Sequence, residues 1–170
     1  LAPSVRFDLC DNWSLSTGWN TVSSYTEGVH VTNAVDSQGN PTSVGFNCSD
    51  GFTYFSTGGD DVIAYPQEAG KDSFYLSSGS AQIIIGGLTA GENYDFRFFG
   101  SRASSGPRAL DISIGSDQVT LDAAYNISDV AEITNVTIDE SGTATIDISI
   151  TTGSYFGYLG VIEVIGTFGE

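Results

Sequence analysis

Polar and apolar residues alternate along most of this chain with a period of two, the side-chain period of a β-strand. Residues 143–150 are the cleanest run. Ile146, Ile148 and Ile150 fall on one face there, and Asp147 and Ser149 on the other, as in a strand with one dry and one wet side. Residues 29–32 and 109–114 read the same way. Further strands are predicted over 5–9, 42–46, 73–76, 81–85, 94–99, 118–122, 132–136 and 158–165. Clusters of Gly, Ser, Asn, Asp and Pro punctuate them, as at 37–41, 115–117 and 139–142. These residues supply the backbone angles and local hydrogen bonds that tight turns require. No segment carries a stripe of period 3.6. The pattern predicts an all-β, antiparallel β-sandwich of jelly-roll type. The longest irregular stretches, 11–26 and 47–70, are rich in aromatic residues, and long loops on a rigid sandwich are where binding is usually placed.

A length of 170 residues fits one domain with its own core and is short for two. No window is long and apolar enough to span a membrane. The chain starts Leu-Ala-Pro and contains no Met. With its Ser, Thr, Gly and Asn richness, this leads us to expect a mature piece of a larger secreted protein, any export signal having been removed.

Charge narrows the partners. Twenty-one acidic residues face five basic ones, a formal net charge of −16. Such a field repels phosphate backbones and anionic lipid heads, so neither nucleic acid nor a membrane surface is expected. Cys10 and Cys48 read either as one disulfide or as two buried thiols, and an extracellular setting favours the disulfide. With no CxxC pattern and a single histidine, a zinc site is not expected.

Catalytic chemistry finds little support. Ser-His-Asp hydrolysis needs a histidine base, and His30 sits inside an alternating strand with no GxSxG elbow in the chain. Glycoside hydrolysis needs two facing carboxylates. Among 21 acids such a pair can always be imagined, so its availability decides nothing.

Residues 87–102 read GLTAGENYDFRFFGSR and place two of the five basic residues in and just after one aromatic strand. In that strand Tyr94, Phe96 and Phe98 share one face, and Asp95, Arg97 and Phe99 the other. Arg97 is therefore expected to pair with an acid beside it or on a neighbouring strand. Arg102 lies past the strand end in a polar loop with Arg108, and these two are the better ligand candidates.

This stretch, with 74–76 and 81–88 before it and Tyr158-Leu159-Gly160-Val161-Ile162-Glu163-Val164 near the end, resembles the galactose-binding-like modules of secreted bacterial polysaccharide-degrading enzymes. The opening Phe7-Asp8-Leu9-Cys10, followed by Gly18-Trp19-Asn20, resembles the start of such modules, with Cys10 where a glycine is more usual. The resemblance implies a non-catalytic carbohydrate-binding module, monomeric and tethered to a catalytic domain. It does not transfer a particular sugar. The alternatives are a structural or adhesive module without a sugar site, and a small jelly-roll glycosidase or lyase.

Sugars present hydroxyls and an apolar face of C–H groups, which proteins meet with flat rings and planar polar side chains. Trp13, Tyr54, Tyr65 and Tyr155 are the candidate rings. Arg102, Arg108, Asp60 and Asp61 are the candidate polar groups. The overall acidity points to a neutral or lightly charged polysaccharide. Residues 36–42, with Asp36, Asn40 and Thr42, have the oxygen-rich composition of a calcium loop. The resemblance implies that Glu163 on the last strand approaches it and that a calcium ion bound there would be structural.

Overall fold

The computed structural model describes residues 3–169. In chain order the elements are β1 (Ser4–Leu9), β2 (Asn20–Val22), β3 (His30–Val31), β4 (Gly45–Asp50), β5 (Tyr54–Ser56), α1 (Gln67–Gly70), β6 (Ser73–Leu76), β7 (Ser80–Gly86), β8 (Asn93–Phe99), β9 (Ala109–Ile114), β10 (Asp117–Asp122), β11 (Ala131–Thr137), β12 (Ala144–Ile150), β13 (Gly157–Leu159) and β14 (Val161–Ile165). They form a five-stranded sheet in the order β11-β8-β14-β1-β2, a six-stranded sheet in the order β10-β9-β12-β7-β4-β3, and a small sheet in the order β13-β6-β5. The fold is a β-sandwich. Pairing is antiparallel except between β1 and β2, which run parallel, a departure from the uniformly antiparallel expectation.

The alternation explains the core. Ile146 and Ile148 of β12 stand opposite Ile83 and Ala81 of β7, and all four are buried. They meet Phe7, Phe96, Phe98, Ile162 and Val164 in the main cluster between the large sheets. Each fully buried side chain of this size contributes about 1.5–3 kcal/mol of transfer free energy.

The other face of the five-stranded sheet is covered too. Phe99 and Val161 pack there with Val62 and Ala69, and Leu15, Trp19, Ala64 and Tyr65 close over them. Below this second cluster runs a row of charges on adjacent strands. Arg6 stands opposite Glu163, Glu163 opposite Arg97, and Arg97 opposite Glu132. Arg97 Nε donates to Glu132 Oε2 at 2.9 Å and its Nη1 lies 3.9 Å from Glu163 Oε1. This is the cross-strand pairing expected for Arg97.

Several expectations need correction. β2, β5 and α1 are elements that periodicity did not reveal, and β4 begins at Gly45 rather than at residue 42. The strand predicted over 158–165 is two strands in different sheets, parted at Gly160. Gly160 is pressed against the backbone, so that a Cβ there would stand 2.5 Å from the Asp72 carbonyl oxygen. Its N–H donates to the Phe99 carbonyl and its own carbonyl accepts from Leu9 N–H. These bonds turn the chain from one sheet into the next. Cys10 and Cys48 are both buried and unbonded, in place of the expected disulfide. The Cys48 thiol donates instead to the Asp50 carbonyl at 3.2 Å. Cys10 holds φ = 127°, a backbone region that favours glycine.

Candidate functional site

The small sheet organises the most distinctive surface of the molecule. In β6, Phe74 and Leu76 point into the main core, so Tyr75 between them points outward. Tyr54 of β5 and Tyr158 of β13 stand directly opposite Tyr75 on either side. The three tyrosines therefore form one row across the sheet. Ring centroids are 5.3 Å apart for Tyr75 and Tyr158, 6.1 Å for Tyr75 and Phe156, and 5.2 Å for Tyr25 and Tyr54. Pairs at such spacings hold one another in tilted or edge-to-face arrangements. Tyr54 is 46% exposed, Phe156 36% and Tyr155 84%.

Two arginines lie on this aromatic floor. The Arg102 guanidinium sits 5.7 Å from the Tyr158 ring centroid, and its Nη1 donates to Ser56 Oγ at 2.8 Å. The Arg108 guanidinium sits 5.3 Å from the Phe156 ring centroid. Its Nη2 donates to Ser104 Oγ at 2.9 Å, and its Nη1 lies 3.5 Å from Tyr158 Oη. Cation–π contact of this kind holds a guanidinium flat against a ring. Arg102 is fixed from its backbone as well: its N–H donates to Ala123 and its carbonyl accepts from Tyr125 N–H. Gly58 makes room for it, since a Cβ there would collide with Arg102 Nη1.

The residues singled out from sequence divide clearly. Tyr54, Arg102 and Arg108 share the outer face of the small sheet, with Tyr155 at its rim beside Phe156. Asp60 lies two residues from Gly58, tied by its N–H to Ser101 Oγ at 2.9 Å. Asp61 is turned to Lys71, with Nζ and Oδ1 3.4 Å apart. Tyr65 belongs to the second hydrophobic cluster, where its hydroxyl donates to Glu163 Oε1 at 3.0 Å. Burial and the Glu163 carboxylate push that hydroxyl's pKa well above the usual tyrosine range. Trp13 is exposed, and among the described residues no aromatic ring stacks on it. Sequence reasoning missed Tyr75 as a site residue. Its signal was the triplet Phe74-Tyr75-Leu76, a tyrosine between two core positions.

Of the four calcium candidates, three come together and Glu163 stands apart. Asp36 Oδ1 already accepts from Gln38 and Asn40 N–H, at 2.9 Å each, and these bonds hold its pKa below the usual carboxylate range. Thr42 Oγ1 donates to the Ala34 carbonyl at 2.6 Å and accepts from Val44 N–H. Glu163 is held by Tyr65 and Arg97, and is absent from the groove that Asp36, Asn40 and Thr42 line with Phe168. Among the described residues no group of three or more His, Cys, Asp or Glu side chains is placed to hold a metal ion.

A pair of carboxyls lies elsewhere. Asp8 of β1 and Asp72, just before β6, are both 0% exposed, and among the described residues neither has a conventional donor within bonding geometry. Burial, and then the charge of Asp72, raise the pKa of Asp8. Burial also raises that of Asp72, although Asp8, the Asn12 N–H and the Cys10 thiol lie close enough to offset part of the rise. Two such groups retain a shared proton at pH values where exposed aspartates have lost theirs. Enclosed on every side, the pair is out of reach of a glycosidic oxygen. A polar groove of ≈ 290 Å³ crosses the six-stranded sheet, lined by Asp50, Gln82, Asp111, Ser113 and Asp147 among others, with no aromatic ring in its lining.

No family model matches the chain, and no curated protein does either. Among solved structures, the carbohydrate-binding module TmCBM61, determined in complex with β-1,4-galactotriose, is similar over 68% of this chain and 90% of its own, at 19% identity and a TM-score of 0.36.

Proposed function

We propose that this chain is a non-catalytic module that binds carbohydrate on the outer face of the β13-β6-β5 sheet. The observation that carries the reading is the cluster of Tyr54, Tyr75 and Phe156 on one face, floored by Tyr158, which is itself buried beneath Arg102, and flanked by two stacked guanidiniums. Flat rings offer their faces to sugar C–H groups, and planar donors offer hydrogen bonds to hydroxyls. The site is built on strands, which preorganises the rings and lowers the ordering cost of binding.

In this reading the ligand is a polysaccharide and the module brings a catalytic domain of a secreted parent protein to it. A purely structural module would have no need for exposed rings gathered on one face. The glycosidase reading asks for two carboxyls in an open cleft, and the one close buried pair is enclosed.

Affinity electrophoresis of the purified domain in gels cast with soluble polysaccharides tests the proposal. Retardation by at least one polymer, abolished in Tyr75→Ala and unaffected by EDTA, is the expected result. Migration unchanged in every polymer would refute it.

A further inference from the structure

Of the three basic side chains without an ion pair among the described residues, Arg6, Arg102 and Arg108, the last two share one surface. The other three basic side chains are engaged. Lys71 pairs with Asp61 and Arg97 with Glu132 and Glu163. Arg6 donates twice to the Gly18 carbonyl and stacks on Trp19, 4.6 Å from the ring centroid. Among the described residues neither Arg102 nor Arg108 forms an ion pair. Their side-chain partners are hydroxyls and ring faces. A guanidinium carries five N–H donors and no acceptor. Arg102 spends one of them and Arg108 two, while the Nε of each is shielded from solvent without an acceptor. The buried hydroxyl of Ser73, which stands opposite Ser56 in the sheet, is also unpartnered among the described residues.

Two like charges on one aromatic floor, part desolvated and with no carboxylate in ion-pair contact among the described residues, are unfavourable in isolation. The arrangement is relieved by a ligand group that only accepts hydrogen bonds and bears negative charge. We propose that the polysaccharide held on this face is anionic, and that Arg102 and Arg108 receive its carboxylate or sulfate groups. The proposal rests on the carbohydrate-binding reading and sharpens it. It also reverses the expectation of a neutral or lightly charged polymer, which came from the net charge of −16. The reversal has a physical reason. Net charge acts at long range and is screened beyond about 8 Å at physiological ionic strength. A guanidinium fork in contact with a carboxylate or sulfate is short-ranged, directional and charge-assisted.

Paired probes with a common backbone isolate the charge. Polygalacturonate is compared with its methyl ester, and a sulfated galactan with the same galactan after desulfation, by affinity electrophoresis or calorimetry at fixed salt. The unmodified protein is expected to bind one charged member about tenfold or more tightly than its neutral counterpart, the range of one or more charged hydrogen bonds. Which charged member binds distinguishes carboxylate from sulfate. Arg102→Gln and Arg108→Gln should each collapse that preference towards one, and Arg102→Lys and Arg108→Lys should restore part of it. A merely structural role would weaken charged and neutral probes alike, and so leave the preference unchanged. Thermal melting of each variant confirms that it is folded. A preference near one in the unmodified protein, with sugar still bound, overturns the anionic assignment alone. Absence of binding to all four probes overturns the anionic assignment, and unchanged migration in every polymer of the wider panel overturns the carbohydrate reading with it.

Discussion

Replacing Asp8 by asparagine should flatten the pH dependence of stability. Asp8 and Asp72 are fully buried side by side, and burial raises both pKa values. An unfolded aspartate titrates near pH 3.9. Above that pH the folded chain therefore holds a proton that the unfolded chain has released, and stability falls as pH rises. One retained proton corresponds to about 1.4 kcal/mol per pH unit, or roughly 4 kcal/mol between about pH 4 and 7. That is a large share of the ~5–15 kcal/mol that holds a domain together. Asparagine keeps the shape, offers N–H groups to Asp72 and has no proton to retain. General repulsion among the acids also lowers stability with rising pH, but both proteins share it, so the difference between them isolates the pair. The assay is urea unfolding followed by fluorescence of Trp13 and Trp19, at several values between about pH 4.5 and 7.5, in the presence of a chelator. The Asp8→Asn protein should lose less stability across that range, by about 1 kcal/mol or more per unit. Parallel curves, or an unmodified protein that gains stability with pH, would refute a shared buried proton.

Other consequences are open to simpler measurements. Both thiols are free, buried and shifted upward in pKa by burial. A thiol reagent should therefore count two of them only after denaturation, and a reducing agent should leave the melting temperature unchanged. Gly58→Ala should displace the Arg102 guanidinium that its Cβ would strike, weakening sugar binding while melting falls by no more than about 1–2 kcal/mol equivalent. Removing the exposed Arg97–Glu132 pair by Glu132→Gln, which leaves the Arg97–Glu163 contact in place, should cost under about 1 kcal/mol in urea unfolding, because both side chains of the pair are well hydrated.

The long alternating strands were legible because each buries one face continuously. Residues 144–150 and 94–98 announce their inward sides without help from tertiary context. Of the small sheet only its middle strand, β6, was legible. β5 and β13 are three residues each, too short for a period to register, and β13 runs into β14 without a turn residue other than Gly160. Tyr54, Arg102 and Arg108 were identifiable one at a time as ring and guanidinium chemistry in loops. That Tyr75 and Tyr158 join Tyr54 in one row depends on strand register, which composition does not encode. Tyr65 and Glu163 looked available because nothing in the sequence shows the loop folding over the five-stranded sheet. Asp8 and Asp72 were silent because an aspartate in a strand or beside a turn ordinarily meets water.

The most direct test of the account is backbone amide NMR during titration with an oligosaccharide from whichever polymer retards the protein. The account predicts shift changes clustered at residues 54–58, 73–76, 101–108 and 155–159, the segments that carry the tyrosine row and the two arginines. Changes centred instead on the polar groove around Asp111 and Asp147, or no changes at saturating sugar, would contradict it.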